Sequence, residues 1–130
     1  MSDIQRVLLV GHCRADTGML TRFVRRHADG LPVVSVNDAQ TLHASADSAC
    51  LILVNRVPVG SFDALDGVGL IERVLGREDP PVAMLVSNYA DAQSAAVDAG
   101  ARHGFGKGEL GHPDTAKRLR EAIGAEAPAA

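Results

Sequence analysis

The chain has 130 residues, of which 46% are hydrophobic and 22% charged, and its formal net charge is −3. This length suffices for one domain with its own core, and the composition is that of a folded protein. The negative charge argues against general nucleic-acid binding, which depends on excess positive charge. We interpret the basic cluster at residues 22–27 as the solvated face of one helix.

Cysteine usage and the chain start bear on the cellular compartment. Cys13 and Cys50 are too few and too far apart for a disulfide framework, and we expect both to be buried thiols. No apolar run approaches the roughly 20 residues of a membrane span. The first residues lack the basic start and apolar stretch of a signal peptide. We therefore expect a cytoplasmic protein with neither membrane nor nucleic-acid partners.

Short aliphatic runs ended by turn or polar residues predict strands that are buried on both faces. They occupy residues 7–10, 33–36, 51–54 and 82–86, and residues 103–105 are a shorter fifth candidate.

Helical spacing of apolar residues separates these runs. Leu20 and Phe23 belong to the first such helix, and Asp16 and Thr17 are its candidate caps. Further helices are predicted around residues 42–46, 68–75, 92–99 and 113–123. Strands that alternate with helices imply right-handed βαβ units and a parallel sheet. We predict one doubly wound α/β domain over residues 1–124 and a flexible tail at 125–130.

In such sheets, ligands bind at the carboxyl ends of the strands. At the carboxyl ends of the predicted strands, the following residues include Gly11, His12, Asn55, Ser87 and Lys107. These five are the candidate site residues.

The order of elements, from about residue 5 to about residue 123, resembles that of response-regulator receiver domains. The resemblance rests on Leu85-Val86-Ser87-Asn88-Tyr89-Ala90-Asp91, Asp98-Ala99-Gly100-Ala101 and Phe105-Gly106-Lys107. In addition, Asp66-Gly67, before the helix that contains Ile71, resembles the start of the third helix in that family. It implies a flavodoxin-like (βα)5 fold with strand order 2-1-3-4-5.

Receivers hold Mg²⁺ with two acidic residues after strand one and an aspartate after strand three, and that aspartate accepts a phosphoryl group. A hydroxyl and a lysine contact the phosphoryl group, and the resemblance assigns these roles to Ser87 and Lys107. The acidic pair corresponds to Gly11 and His12, and the acceptor corresponds to Asn55. Mg²⁺ prefers oxygen ligands that include carboxylates, and an amide is a poor nucleophile. We therefore expect no Mg²⁺ and no phosphorylation of Asn55.

Other positions also depart from the receiver pattern. Asp16 and Asp91 lie too far along their helices, on this register, to replace the missing carboxylates. Gly108 stands where receivers carry a proline after the lysine, which predicts a more mobile loop. Receivers often carry in strand five an aromatic residue that moves on phosphorylation. Gly104 stands at that position in this chain, and the nearest aromatic residue, Phe105, follows one residue later. We therefore expect this chain to lack both the phosphorylation that receivers take as input and the aromatic movement that transmits it.

Residues 106–111 match G-x-G-x-x-G, but they follow the last strand, so we interpret them as a loop and not as a dinucleotide site. His12, Cys13 and His103 are an alternative transition-metal set, and simple loop histidines are the competing interpretation. No arrangement for covalent catalysis is evident, and we expect no enzymatic activity.

Two functions follow from these patterns. The first is a pseudo-receiver that binds a protein partner, or itself, through the face formed by helix four, strand five and helix five. The alternative is a sensor of a small molecule, anion or metal that uses the pocket at Gly11, His12, Asn55 and Lys107. Phosphorylation at an unusual residue is a third hypothesis.

Overall fold

Five strands alternate with five helices in the computed structural model, which describes residues 4–28 and 30–124. In chain order the elements are β1 (Arg6–Val10), α1 (Arg14–His27), β2 (Val33–Val36), α2 (Ala39–Ser45), β3 (Cys50–Asn55), α3 (Gly67–Leu75), β4 (Val82–Val86), α4 (Ala90–Asp98), β5 (Arg102–Phe105), a 3₁₀ turn (Lys107–Glu109) and α5 (Pro113–Ile123). The predicted flexible tail at 125–130 lies outside the described residues.

The strands form one sheet in the order β2-β1-β3-β4-β5, and each neighbouring pair is parallel. The predicted α/β fold and strand order are thus confirmed. Because side chains alternate along a strand, β3 contributes Leu51 and Leu53 to one face and Ile52 and Val54 to the other. Both faces are covered by helices, which is why the strands are almost continuously aliphatic.

Each face of the sheet has its own apolar core. One core includes Leu20 and Phe23 of α1 and Leu119 of α5. The other is closed by α2, α3 and α4, with Leu42 and Leu70 among its fully buried side chains. These cores fix the strand ends, and therefore the positions of the loops that follow them.

Short acidic side chains begin two of the helices. The Asp38 carboxylate accepts the Thr41 amide N–H at 2.7 Å, and the Asp66 carboxylate accepts that of Gly69 at 2.8 Å. Such caps satisfy N–H groups that have no partner within the helix. α3, the third helix, therefore starts where the Asp66-Gly67 resemblance predicts.

The start of α1 differs from the prediction. Cys13 occupies the N-cap position and makes no capping hydrogen bond with its side chain, so Asp16 and Thr17 lie inside the helix. Cys13 is exposed whereas Cys50 is buried, so the expectation of two buried thiols is wrong for Cys13. Its position just beyond the strand, on the helix start, turns it toward solvent.

No helix within residues 4–28 and 30–124 combines the length and apolarity needed to cross a membrane.

Candidate functional site

The candidate residues lie at the carboxyl edge of the sheet. Gly11 and His12 follow β1, Asn55 ends β3, Ser87 follows β4, and Lys107 begins the 3₁₀ turn after β5. β1, β3, β4 and β5 are consecutive neighbours in the sheet. The fold therefore brings to one edge residues that are separated by up to 96 positions in the chain.

The loop after β3 packs on Gly11. The Val59 amide N–H donates to the Gly11 carbonyl at 2.8 Å, and the Ser61 amide N–H donates to the Asn37 carbonyl at 3.0 Å. Gly11 has a φ of +74°, and a Cβ atom placed there would lie 2.6 Å from Pro58 Cβ. Only glycine combines this backbone conformation with so close a neighbour.

Asn55 ties the same loop to β1. Its side-chain Nδ2 donates to the Gly11 carbonyl at 2.9 Å and to the Val57 carbonyl at 3.0 Å. Both amide hydrogens are thereby used, since an asparagine side chain offers two. An aspartate here would offer oxygens to two carbonyl oxygens, so this loop arrangement requires the amide.

His12 is buried, with 3% of its surface exposed. Its Nε2 lies 2.8 Å from the Leu53 carbonyl, which can only accept, so Nε2 carries the proton. Nδ1 is also buried and has no hydrogen-bond partner among the described residues. Burial lowers the pKa of His12, and the charge of Lys107 adds to that effect against the opposing Leu53 hydrogen bond. Burial therefore favours the neutral form of this imidazole.

Lys107 pairs with Asp16. Its Nζ donates to Asp16 Oδ2 at 2.6 Å across a sequence separation of 91 residues. This hydrogen bond is the largest cause of a lowered pKa for the Asp16 carboxyl. The sequence analysis considered Asp16 only as a replacement for a missing carboxylate, and it did not anticipate this pair with Lys107. A start of α1 at Arg14 places Asp16 in its first turn, facing the end of β5.

Ser87 belongs to a network that the sequence analysis missed. Its hydroxyl accepts the Tyr89 amide N–H at 3.1 Å, and its carbonyl accepts from Gln93 Nε2 at 3.1 Å. Gln93 is 6% exposed and also donates to the Leu85 carbonyl at 2.9 Å. Its Oε1 accepts the Gly104 amide N–H at 2.9 Å. The Gln93 side chain thereby joins β4 to β5; the only sequence signal was a polar residue on a helix rich in alanine.

Gly104 is closely enclosed. A Cβ there would overlap the Leu85 carbonyl oxygen, and the strand register shifts between Met84 and Val86, next to this residue. The Leu85 backbone therefore occupies the place of a side chain at this position of β5.

A polar cavity of about 300 Å³ lies beside Asn55 and Lys107. The Arg56 guanidinium stacks on the Tyr89 ring, with its Cζ 4.7 Å from the ring centroid. The residues around the cavity are Asn55, Arg56, Val57, Val86, Ser87, Asn88, Tyr89 and Lys107.

The alternative metal set is not assembled in the described part of the chain, where no group of three or more His, Cys, Asp or Glu side chains could hold a metal ion. His12 is buried, Cys13 is exposed, and the His103 Nδ1 lies 2.9 Å from the Gly104 carbonyl. The predicted loop at 106–111 contains the 3₁₀ turn, where the Glu109 carboxylate accepts the Gly106 amide N–H at 2.7 Å.

Neither a family model nor a curated protein sequence matches the chain. Solved structures do match. The signal receiver domain of the DNA binding response regulator protein merR from Colwellia psychrerythraea 34H is 17% identical, with a TM-score of 0.68, over 92% of this chain and 98% of that one. A response regulator from Chloroflexus aurantiacus J-10-fl is 16% identical, with a TM-score of 0.65, over 93% and 98%.

NtrX from Brucella abortus is 18% identical, with a TM-score of 0.64; the match covers 94% of this chain but only 27% of NtrX. At these identities the similarity is one of architecture. The five-stranded parallel sheet, its strand order and its five helices therefore give this chain the fold of response-regulator receiver domains.

Proposed function

We propose that the chain is a receiver-like module of two-component-type signalling that acts through protein contact and without phosphorylation. The observation that carries this proposal is the set of contacts in the candidate site. Asn55 donates both amide hydrogens to backbone carbonyl groups, and Lys107 is paired with Asp16. The groups that would otherwise meet a phosphoryl group are engaged within the chain.

The donor set at this edge does not fit Mg²⁺. Gly11 has no side chain and is covered by Pro58, and the proton on His12 Nε2 is directed at a backbone carbonyl. Mg²⁺ needs near-octahedral oxygen ligands, usually including a carboxylate. The nearby carboxylate of Asp16 is held by Lys107 at 2.6 Å. Without a cation, the charge that develops during phosphoryl transfer has no compensation.

The arrangement of β5 supports the absence of an aromatic switch. The Leu85 backbone fills the space where a side chain on Gly104 would lie, and Gln93 bonds to the Gly104 backbone N–H. A signal that depends on moving a ring at this position has no ring to move.

A surface for a protein partner, or for a second copy, lies on the face of α4, β5 and α5. A groove of about 500 Å³ runs between α4 and the end of β5. Tyr89 and Val97 line it with 60% and 43% of their surfaces exposed. Exposed apolar side chains beside polar groups are typical of transient interfaces.

The first test is an amide NMR titration with Mg²⁺, followed by Mg²⁺ with beryllofluoride, which mimics an acyl phosphate. We expect the resonances of Asn55, Ser87 and Lys107 to stay in place. The same stocks are checked on a receiver domain that has the acidic pocket. Shifts at these three residues that spread into α4 and α5 would show that the domain is still switched by phosphorylation, and the proposal would fail.

The partner surface is tested by sedimentation velocity over a range of protein concentrations. If the chain associates with itself through this face, Val97→Asp weakens the association. Val34→Asp is the matched control, because Val34 is 46% exposed but lies on the opposite edge strand β2. Equal weakening by both substitutions would argue against the α4–β5–α5 face.

The cavity beside Lys107 favours a second candidate function, a sensor of small anions. Arg56 lines it and its charge would attract an anion, whereas Lys107, which also lines it, would have to share its charge with Asp16. A thermal-shift screen with phosphate, sulfate and carboxylates tests this candidate, since a ligand that binds only the folded state raises the melting temperature. No change with any of them would exclude it for those anions.

A further inference from the structure

A polar cavity of about 260 Å³ lies on the β2 side of β1, between the start of α1 and the end of β2. We call it the β1–β2 cavity. It is lined by His12 after β1, Arg14 and Thr17 of α1, Ser35 of β2 and Asn37 after β2. Each of these residues has a polar side chain, so the cavity offers hydrogen bonds and charge. It shares no lining residue with the cavity beside Lys107.

His12 brings a buried hydrogen-bond acceptor to the β1–β2 cavity. Its Nε2 donates to the Leu53 carbonyl at 2.8 Å, so Nδ1 carries the lone pair of the neutral ring. Nδ1 is buried and has no hydrogen-bond partner within the described residues. Because an unpaired acceptor in the interior is costly, a group that donates a hydrogen bond to Nδ1 gains free energy from that contact.

The direction of Nδ1 follows from the order of the strands. β1 lies between β2 and β3, and the Nε2 of His12 is directed at Leu53 of β3. The two nitrogens lie on opposite sides of an imidazole ring. Nδ1 is therefore directed away from β3, toward the side from which Ser35 and Asn37 line the cavity.

The α1 wall of the β1–β2 cavity is positive. Arg14 is exposed, and none of the ion pairs within residues 4–28 and 30–124 includes it. The side chain of Cys13, the N-cap residue, leaves the first-turn N–H groups of α1 uncapped. Asp16, in the same turn, is held by Lys107 at 2.6 Å and does not line the cavity. The local charge therefore favours an anion.

The two features together define the chemistry of a ligand. Arg14 attracts an anionic group, whereas the Nδ1 of His12 needs a hydrogen-bond donor. A carboxylic acid with a hydroxyl on the neighbouring carbon carries both groups in one small molecule. Ser35 and Asn37 can pair with either group, since each can donate and accept. Drug-sized ligands occupy pockets of about 300–1,000 Å³, so this cavity suits a smaller molecule.

We propose that the β1–β2 cavity binds a small hydroxycarboxylic acid. Its carboxylate pairs with Arg14 at the start of α1, and its hydroxyl donates to His12 Nδ1. Because Nδ1 is buried, the hydroxyl reaches it when the Thr17 side chain turns aside; the hydrogen bond from Thr17 Oγ1 to the His12 carbonyl is long, at 3.4 Å. The inference is independent of the proposed protein contact and of anion binding beside Lys107, which use other residues.

Other small occupants fit the β1–β2 cavity less well. His12 is the one nitrogen ligand for a transition metal among the described lining residues, which include no Cys, Asp or Glu, and Arg14 would repel a cation. Sulfate would satisfy Arg14, but at neutral pH it has no proton to donate to Nδ1. A hydroxyl beside the carboxylate is therefore the distinguishing feature of the ligand.

The test is an NMR titration of the full chain with two pairs of acids, lactate with propionate and malate with succinate. Within each pair only the first acid has a hydroxyl. We expect the hydroxy acids to shift the amide signals of His12, Arg14 and Ser35, and the acids without a hydroxyl to bind at least about tenfold more weakly. The ¹⁵N signal of His12 Nδ1 should move as this atom accepts a hydrogen bond, which attraction to Arg14 alone would not cause.

Arg14→Gln should weaken binding of the hydroxy acids at least about tenfold. Arg25→Gln is the matched control, because Arg25 is an exposed arginine of the same helix that does not line the cavity. It should bind the acids as the unchanged chain does. The inference is overturned if neither hydroxy acid binds, if both members of a pair or sulfate bind equally well, or if the Nδ1 signal stays in place. Shifts centred on Arg56 would instead assign the acids to the cavity beside Lys107.

Discussion

His12 is a titratable residue whose burial couples the stability of the fold to pH. Burial lowers its pKa below the ordinary value of 6.5. The unfolded chain therefore takes up a proton on this imidazole at pH values where the folded chain does not. The free energy of unfolding is unaffected by His12 well above pH 6.5, and it decreases as the pH falls below that value.

We predict that His12→Gln removes part of this pH dependence. The slope that one such group contributes is at most about 1.4 kcal/mol per pH unit. Urea unfolding at about pH 7.5 and about pH 5.5 measures it. His27→Gln is the comparison. It removes another histidine whose pKa is lowered, and it should leave the contribution of His12 to the slope in place. An unchanged slope in His12→Gln would mean that His12 is protonated to the same extent in both states.

Gly11 is the residue on which the loop after β3 closes. Gly11→Ala introduces a Cβ that would lie 2.6 Å from Pro58 Cβ, on a backbone with φ +74°. We predict a loss of about 2–4 kcal/mol in the free energy of unfolding. Restoring an acidic residue with Gly11→Asp meets the same obstacle and should not create Mg²⁺ binding.

Gly30→Ala separates the effect of the positive φ from the effect of the contact with Pro58. Gly30 also has a positive φ, +89°, but a Cβ there meets nothing within 4 Å. That variant should lose only the backbone contribution, about 1 kcal/mol. Equal losses at both positions in chemical denaturation would show that the contact with Pro58 has no energetic consequence.

At the scale of elements, Gln93 connects three segments. It lies on α4 and bonds to the end of β4 and to Gly104 of β5. The backbone pairing of β4 with β5 is irregular at the same place. The side chain therefore bonds to backbone groups at the place where the strand pairing is interrupted.

We predict that Gln93→Ala lowers the free energy of unfolding by about 2–4 kcal/mol, because the buried Gly104 N–H loses its acceptor. Hydrogen exchange should accelerate at Gly104 in particular. Gln40→Ala, at an exposed position of α2, is the control and should change stability by less than about 0.5 kcal/mol. Slow exchange at Gly104 in Gln93→Ala would mean that another group replaces the amide.

At the scale of the whole molecule, one sheet separates two apolar cores. Phe23 lies in one core, where its ring centroid is 5.4 Å from that of Phe105, and Leu70 lies in the other. The strands of the sheet contribute alternate side chains to both cores. Loss of packing on one face therefore weakens the strands that support the other.

We predict that Phe23→Ala and Leu70→Ala each cost about 3–5 kcal/mol, and that each variant still unfolds in a single transition. Circular dichroism and methyl NMR signals from both cores are followed through the same urea series. Separate midpoints for the two cores would contradict the view that the sheet couples them.

The sequence by itself determined the elements and their order. Aliphatic runs and helical spacing are local signals, because each depends on residues within one or two turns of the chain. The same signals placed Asn55, Ser87 and Lys107 at strand ends, and parallel strands bring their carboxyl ends to one edge. The α/β class and the edge of the sheet that holds the candidate residues could therefore be predicted from these patterns, whereas the strand order came from the resemblance to receiver domains.

Only the tertiary structure decided the contacts within that site. The pair of Lys107 and Asp16 spans 91 residues, and its existence depends on where α1 begins and how it leans toward β5. The closure of the loop on Gly11 and the Gln93 network depend on a φ value and a strand bulge that carry no periodic signal. Hydrogen bonds require matching within a few tenths of an ångström, whereas sequence patterns locate an element only to within a few residues. That difference in precision is why the elements followed from the sequence and the chemistry of the pocket did not.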